Sequence, residues 1–383
     1  PRSAKMVRTL KTWSDGDLYT PAIIDRLRTR LRATGLYDGI GVTVADLPGP
    51  DGLHTVTVTL VEGEPRTIGI GATASTTEGI GVDGYWERRN LTGRADRIRI
   101  SGEVATLAQG LKATYERPNI GKYGRTLSLE TGVRAEQTDA YDLEGVSVGA
   151  TLAQPFTRQL TISVGAVLDA TRTIDQRAKI VGGIERDQLT LSFPVSASYT
   201  DVGDPLDPQS GLRLFAGADT GISVGDNTPG YTRLHLSGAT YRAISENLVA
   251  AFRAEYGAFA GSSDVPPDKL FFAGGGGTVR GYEYQSLSPR DSLGALTGGR
   301  SLFAASAELR WRASERFGYA LFTDLGAAGD DAGSVFSDAA ASVGVGVRYY
   351  PGFGPIRFDI ATPLDRRDGD SPVQVYISIG QAF

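Results

Sequence analysis

Residues able to carry chemistry are few in this 383-residue sequence, and their types point away from catalysis. There is no cysteine, which excludes disulfides, thiolate nucleophiles and thiolate metal sites. The two histidines, His54 and His235, are too few and too scattered for a metal cluster or a Ser-His-Asp arrangement. Each reads as an ordinary polar-face residue. Asp330-Asp331 lies in a loop and reads as solvated. Gly274 to Gly277 is a run of glycines, but no Gly-Lys-Ser/Thr follows it and no helix opens behind it, so it is not a phosphate loop. No catalytic residue, metal ligand or cofactor is expected. What remains is one arginine in an unusual setting. Arg280, in Val279-Arg280-Gly281-Tyr282, follows Phe271, Phe272 and the glycine run, with Tyr284 close behind. A guanidinium is a rigid fork of donors suited to bidentate pairing with carboxylates, a chemistry of anchoring.

The stretch that carries Arg280 is a Gly/Pro/Ser-rich connection, residues 261–300, between two alternating patterns. Connections of that length are functional or disordered. A disordered linker lacks aromatics, and this one concentrates them around a single charge. Its glycines permit positive φ and close approach to another surface, as a loop tucked into a confined space requires.

From about residue 67 the sequence alternates with period two. Leu189, Leu191, Phe193, Val195, Ala197 and Tyr199 are interleaved with Thr190, Ser192, Pro194, Ser196 and Ser198. Such segments recur to the end, about sixteen in all, an even number as in bacterial outer-membrane barrels. A soluble sandwich also alternates. Here, however, the polar face carries charges of both signs: Glu130/Arg134, Arg253/Glu255, Glu308/Arg310/Arg312 and Arg357/Asp359 stand opposite apolar faces such as Leu248, Phe252 and Tyr256. An all-β transmembrane barrel of about 16 antiparallel strands accounts for both faces, with a wet lumen inside and lipid outside. Trp86, Trp311 and Tyr349 are candidates for its aromatic girdles. The same alternation turns Glu308, between Ala307 and Leu309, and Asp324, between Leu321 and Leu325, towards the lumen.

No apolar run approaches the length of a transmembrane helix, which says nothing about a barrel. With charged residues at 22% and a formal net charge of -5, no attraction to nucleic acid or anionic lipid is suggested. Tight links near residues 245–247, 314–316 and 352–354, and the breaker-dense turn at 204–211, alternate with glycine-rich stretches near 171–187, 221–230, 261–300 and 326–339. Short connections belong on the periplasmic side and long ones outside. This places the Arg280 loop outside and leaves strands near 301–313, 317–326, 341–350, 356–363 and 373–383 after it.

Residues 1–66 differ. Thr20-Pro21 reads as a helix start and Gly35 as its stop, with Ile23, Leu27 and Leu31 on one face and Ile24 beside them. Strands at 40–45 and 55–61 follow, joined by Pro48-Gly49-Pro50-Asp51-Gly52.

Phe271-Phe272-Ala273-Gly274-Gly275 and Val279-Arg280-Gly281-Tyr282, before the fifth strand from the C-terminus, resemble the signature of the outer-membrane protein-assembly superfamily that includes BamA and TamA. The turn from Asp207 to Gly211, the strand from Gly354 to Asp359 and the word Phe322-x-Asp324-x-Gly326 also resemble family words, so the resemblance covers nearly the whole chain. Tyr282-x-Tyr284 and the ending 378–383 look like the TamA branch.

The resemblance implies that residues 1–66 are part of a periplasmic POTRA domain, the last of several. It would be shortened at its start, because residues 1–18 leave little room for that module's first strand and first helix. Residues 67–383 would be the barrel, with loop 261–300 folded back into it. Arg280 would then lie within salt-bridge distance of Glu308, Asp324 or both, with Phe322 and Gly326 as the partner motif. The first strand, residues 68–76 with Ile68 and Ile70, and the last, with Val375, Ile377 and Gly380, would meet at a lateral seam. Edge groups unsatisfied in lipid are costly, and Gly380 weakens pairing there. Phe383 resembles the terminal aromatic insertion signal and would anchor at the membrane interface. The implied activity is assisting the insertion, assembly or translocation of outer-membrane proteins such as autotransporters. Its partners would be outer-membrane lipids, unfolded clients and an inner-membrane-anchored TamB-like subunit, with no cofactor and no nucleic acid. A two-partner secretion translocator, which would carry an N-terminal plug helix, and a passive diffusion porin, which needs no POTRA domain, are the alternatives.

Overall fold

The computed structural model describes residues 2–175, 184–226, 230–262, 265, 267–352, 354–367 and 370–383. Parts of the expected long connections at 171–187, 221–230 and 261–300, and Phe353 in the link at 352–354, lie outside the described residues.

Two helices and a hairpin form a small layer at the start: α1 (Arg2–Leu10), α2 (Pro21–Arg32), β1 (Tyr37–Val44) and β2 (Val56–Glu62). Pro21 occupies the first turn of α2 behind an extended Thr20, and Gly35 takes a positive φ of 64° after the helix. Ile24, Leu27 and Leu31 are buried against Met6, Leu10, Leu36 and Val42, with Val58 and Leu60 packed alongside. Residues 1–18, expected to leave little room for a strand and a helix, hold the short helix α1. Met6 and Leu10, one turn apart, supply the apolar contact that folds it onto α2. The layer touches the barrel where Arg89 donates to the Gly35 carbonyl at 3.0 Å and Arg30 lies over the Tyr123 ring.

Sixteen antiparallel strands, from β3 (Arg66–Ser75) to β18 (Gln374–Ile379), pair in sequence order and close into a barrel. Closure leaves no exposed sheet edge except where pairing is short. The outer surface is apolar: Leu189, Leu191, Phe193 and Val195 are all exposed while Thr190 and Ser192 are buried. At the rim beside the tight links, Trp311 meets Tyr319 and Phe317 meets Tyr349, ring centroids 5.9 and 5.4 Å apart. The apolar core lies inside the barrel, where Phe271, Val279, Tyr282 and Leu287 of the loop meet Tyr231, Phe259, Leu302 and Ala328 of the wall.

Wall height is uneven. Strands β9 (Leu160–Asp175), β10 (Glu185–Thr200) and β12 (Gly230–Ser245) have 16 residues each, whereas β17 (Ile356–Pro363) has 8 and β18 has 6. The last strand was expected to run to residue 383. It stops at Ile379 because Gly380 turns the chain with a positive φ of 91°.

Candidate functional site

The loop that carries Arg280 is drawn into the lumen and tied to opposite walls. At its neck Phe271 and Gly299 exchange backbone hydrogen bonds of 2.8 and 2.7 Å. On one wall Lys269 reaches Asp169 at 3.1 Å, a carboxylate already held by two hydrogen bonds from Arg134 at 2.9 and 2.8 Å, and Phe272 packs on Tyr141. Gly274, at φ +105°, turns where a Cβ would fall 2.4 Å from the Glu283 carbonyl, and Gly281, at φ +98°, presses against Ser342 and the backbone of Thr362. Both turns require glycine.

On the other wall Arg280 is buried, with 2% of its surface exposed. Its Nε and Nη2 grip Asp324 at 2.7 and 2.9 Å, and its backbone N–H donates to the same carboxylate at 3.1 Å. Nη1 reaches Asp359 at 2.9 Å and Glu308 at 3.3 Å, and Nη2 donates to the Ser306 hydroxyl. The guanidinium carbon lies 3.4 Å from the Phe322 ring centroid, a cation–π contact. The structure therefore brings Arg280 to both Glu308 and Asp324. It also places Phe322 and Gly326 beneath the motif, where a Cβ on Gly326 would lie 3.0 Å from Val279. The Tyr282 hydroxyl donates to the Ala341 carbonyl at 2.9 Å.

Asp359, Arg348 and Arg310 were not expected at this site. Arg348 donates to Glu308 at 3.0 Å and to Asp359, Arg310 donates to Glu308 at 3.0 Å, and Arg357 stands 3.5 Å from Asp359. These four arginines and three carboxylates come from β14 (Ser301–Arg312), β15 (Phe317–Gly329), β16 (Ala340–Tyr349), β17 and the loop. A buried charge survives only when paired and hydrogen-bonded. Here Glu308 and Asp359 are each shared by three arginines, while Asp324 is held by Arg280 and Ser306. Alternation already placed Arg357 and Asp359 inward. The signal that was missing is the register that sets them beside Arg348 and Arg280.

The seam lies next to this cluster. Only Ala74 with Ile377 and Ser75 with Tyr376 are in register between β3 and β18, against ten pairs between β3 and β4 (Gly79–Arg89). Thr76 adds a backbone hydrogen bond to the Val375 carbonyl and accepts one from the Val375 N–H, each 3.0 Å. Of the expected seam residues, Ile377 lies in a paired row, whereas Ile68 and Ile70 of β3 have register partners in β4, Trp86 and Gly84. The two paired rows sit nearer the outer end because β18 is short and Gly380 ends it.

Phe383 does not anchor at the membrane interface. Beyond Gly380 the chain bends inward: Gln381 N–H donates to the Leu206 carbonyl, its side chain meets Arg348 and Asp207, and the Phe383 ring lies beside Arg310 and Tyr241. Turning at Gly380 breaks the alternation that would have faced this ring to lipid. His235 sits 3.3 Å from Glu255 in the lumen, and His54 meets the Ala45 carbonyl in the β1–β2 hairpin.

Residues 90–383 match the family described as the Omp85 superfamily domain. The chain is 25% identical over 386 residues to "Outer membrane protein assembly factor BamA" of Nitratidesulfovibrio vulgaris, covering 97% of this chain and 48% of that protein. It thus spans about half the length of the curated relative it matches. Among solved structures, BamA from Haemophilus ducreyi lacking POTRA domains 1-3 superposes with a TM-score of 0.80 at 17% identity, covering 98% of this chain and 81% of that one. CdiB from Acinetobacter baumannii superposes with a TM-score of 0.63 at 14% identity, covering 97% and 71%. At these identities the likeness speaks for the fold.

Proposed function

The chain belongs to the Omp85 superfamily, and from that premise we propose that it is an outer-membrane barrel that helps client outer-membrane proteins fold and insert. The observation that carries this reading is the seam. Two register pairs close a barrel whose other joints are longer, leaving most of β3 without a strand on that side. Unpaired backbone groups beside lipid are costly, so an extended client segment that pairs with β3 would be stabilised there. The activity is non-enzymatic and needs no cofactor. Its partners are outer-membrane lipids and unfolded clients.

The finer parts of the proposal rest on resemblance. Residues 1–66 serve as a POTRA domain in the periplasm, and Tyr282-x-Tyr284 with the ending 378–383 favours the TamA branch, autotransporter clients and a TamB-like partner. A two-partner secretion translocator shares the family, and the upstream sequence would separate the two through its plug helix. A passive porin is disfavoured by the loop that crosses the lumen.

The test is a disulfide lock. Cysteines in place of Ala74 and Ile377, a register pair on the lipid-facing side, should crosslink in a chain with no cysteine of its own. The oxidised protein should lose client insertion while keeping its folded barrel, and reduction should restore activity. Full activity in the locked form would refute the proposal.

A further inference from the structure

Two backbone amides of the loop reach the two sides of the seam. Gly281 N–H donates to the Tyr376 hydroxyl at 2.9 Å, and Gly276 N–H donates to the Glu78 carboxylate at 2.8 Å. Tyr376 belongs to β18 and its register partner across the seam is Ser75. Glu78 lies in the turn after β3, where its other carboxylate oxygen accepts from the Ser75 hydroxyl at 3.3 Å and its own N–H donates to that hydroxyl at 2.9 Å. Both members of one seam pair are therefore tied to the same six residues of loop. The fit is close: a Cβ on Gly276 would fall 3.1 Å from the Tyr376 ring and 3.3 Å from the Glu78 carboxylate. Arg280 lies between the two donors, so its ion pairs fix the segment that makes both contacts.

We infer that residues 276–281 form a luminal staple across the seam, with Tyr376 and Glu78 as the positioning residues through which the Arg280 anchor holds β18 against β3. The joint itself has two register pairs and the hydrogen bonds of Thr76 with Val375 and Gln374, so two loop hydrogen bonds add substantially to what keeps it shut. Release of the loop unfastens both edges together. This regulation rests on the reading of the seam as the working edge.

Spin labels on cysteines replacing Ile70 and Ile379, both lipid-facing and outside the staple, report the seam by pulsed EPR distance measurement in detergent or liposomes. Tyr376→Phe keeps the ring and removes the hydroxyl, which accepts from Gly281 and also meets Thr77. Thr77→Val, which spares the Gly281 bond, is therefore measured beside it and should match the parent. Glu78→Ala removes the other acceptor, and Glu78→Gln keeps a carbonyl oxygen in its place. Loss of one such hydrogen bond should raise the wide-separation population about fivefold. Tyr376→Phe and Glu78→Ala should each do so, their combination should do so further, and Glu78→Gln should match the parent, with the heat-modifiable barrel band unchanged. Parent-like distances in both Tyr376→Phe and Glu78→Ala would overturn the staple. If Glu78→Ala fails to fold, Tyr376→Phe decides against Thr77→Val: equal widening in the two would overturn the staple. Widened distances with undiminished client insertion would sustain the staple and sink the functional reading.

Discussion

Gly344 leaves the hollow that the Phe322 ring fills: a Cβ on Gly344 would lie 2.2 Å from that ring. Phe322 in turn is the floor on which the Arg280 guanidinium rests. A glycine with no polar atom on its side chain thus sets the depth at which the loop charge is held. The same strand repeats the device at Gly346, where a Cβ would collide with the Asp359 carboxylate and the Arg348 guanidinium.

Gly344→Val should push Phe322 off its rotamer and lift Arg280 from Asp324. Overpacking of this kind costs about 1 to 3 kcal/mol. Loop 261–300 should become cleavable by added protease at concentrations that leave the parent intact, and an uncut loop would contradict the coupling.

Arg280→Ala removes the cation that three carboxylates share. Breaking a buried pair costs about 3 to 5 kcal/mol, and a water-filled lumen lowers that figure. The barrel should still run as a heat-modifiable band while the loop is released and activity falls. Arg280→Lys should not rescue, since an ammonium cannot hold both Asp324 oxygens and cover Phe322. Rescue by lysine would show that charge alone suffices.

Asp359→Asn should weaken the loop anchor although Asp359 touches the motif through one oxygen only, because its other oxygen holds Arg348. In a double-mutant cycle with Arg280→Gln, scored by denaturant midpoint, the coupling should exceed about 1 kcal/mol. Additive effects would mean the two ion pairs act independently.

Phe383→Ala should lower the amount of protein recovered in the outer membrane more than it lowers the unfolding midpoint. The ring's contacts with Arg310 and Tyr241 are a single cation–π and a tilted ring pair, so a stability loss of about 1 kcal/mol is expected. Equal recovery of mutant and parent would remove the case for Phe383 as an insertion signal.

Strand alternation was legible because each side chain chooses between two environments of opposite polarity, and that choice is written residue by residue. The inward direction of Glu308 and Asp324 was legible for the same reason, whereas their meeting with Arg280 was implied by the resemblance of the loop to the family signature. Asp359 was not assigned, because which inward charges meet depends on cross-strand register, which local sequence does not encode. Which residues of β3 meet β18 was not legible on the same account: the closing pair has no turn to fix its offset. Phe383 followed the alternation on paper until one glycine ended it. Helix α1 was not assigned, although Met6, Val7 and Leu10 recur at helical spacing and pack on α2.

The shortness of β17 and β18 has a consequence for the lipid itself. A strand residue rises about 3.4 Å, and a tilt of about 40° leaves the six residues of β18 roughly 16 Å along the membrane normal, against a hydrocarbon core of about 30 Å. The 16 residues of β10 span about 42 Å on the far side. Acyl chains beside β18 must therefore splay and the two leaflets draw together, a hydrophobic mismatch confined to one flank. On the proposed function, a client strand arriving at that flank would meet a thinner, more disordered bilayer than elsewhere around the barrel.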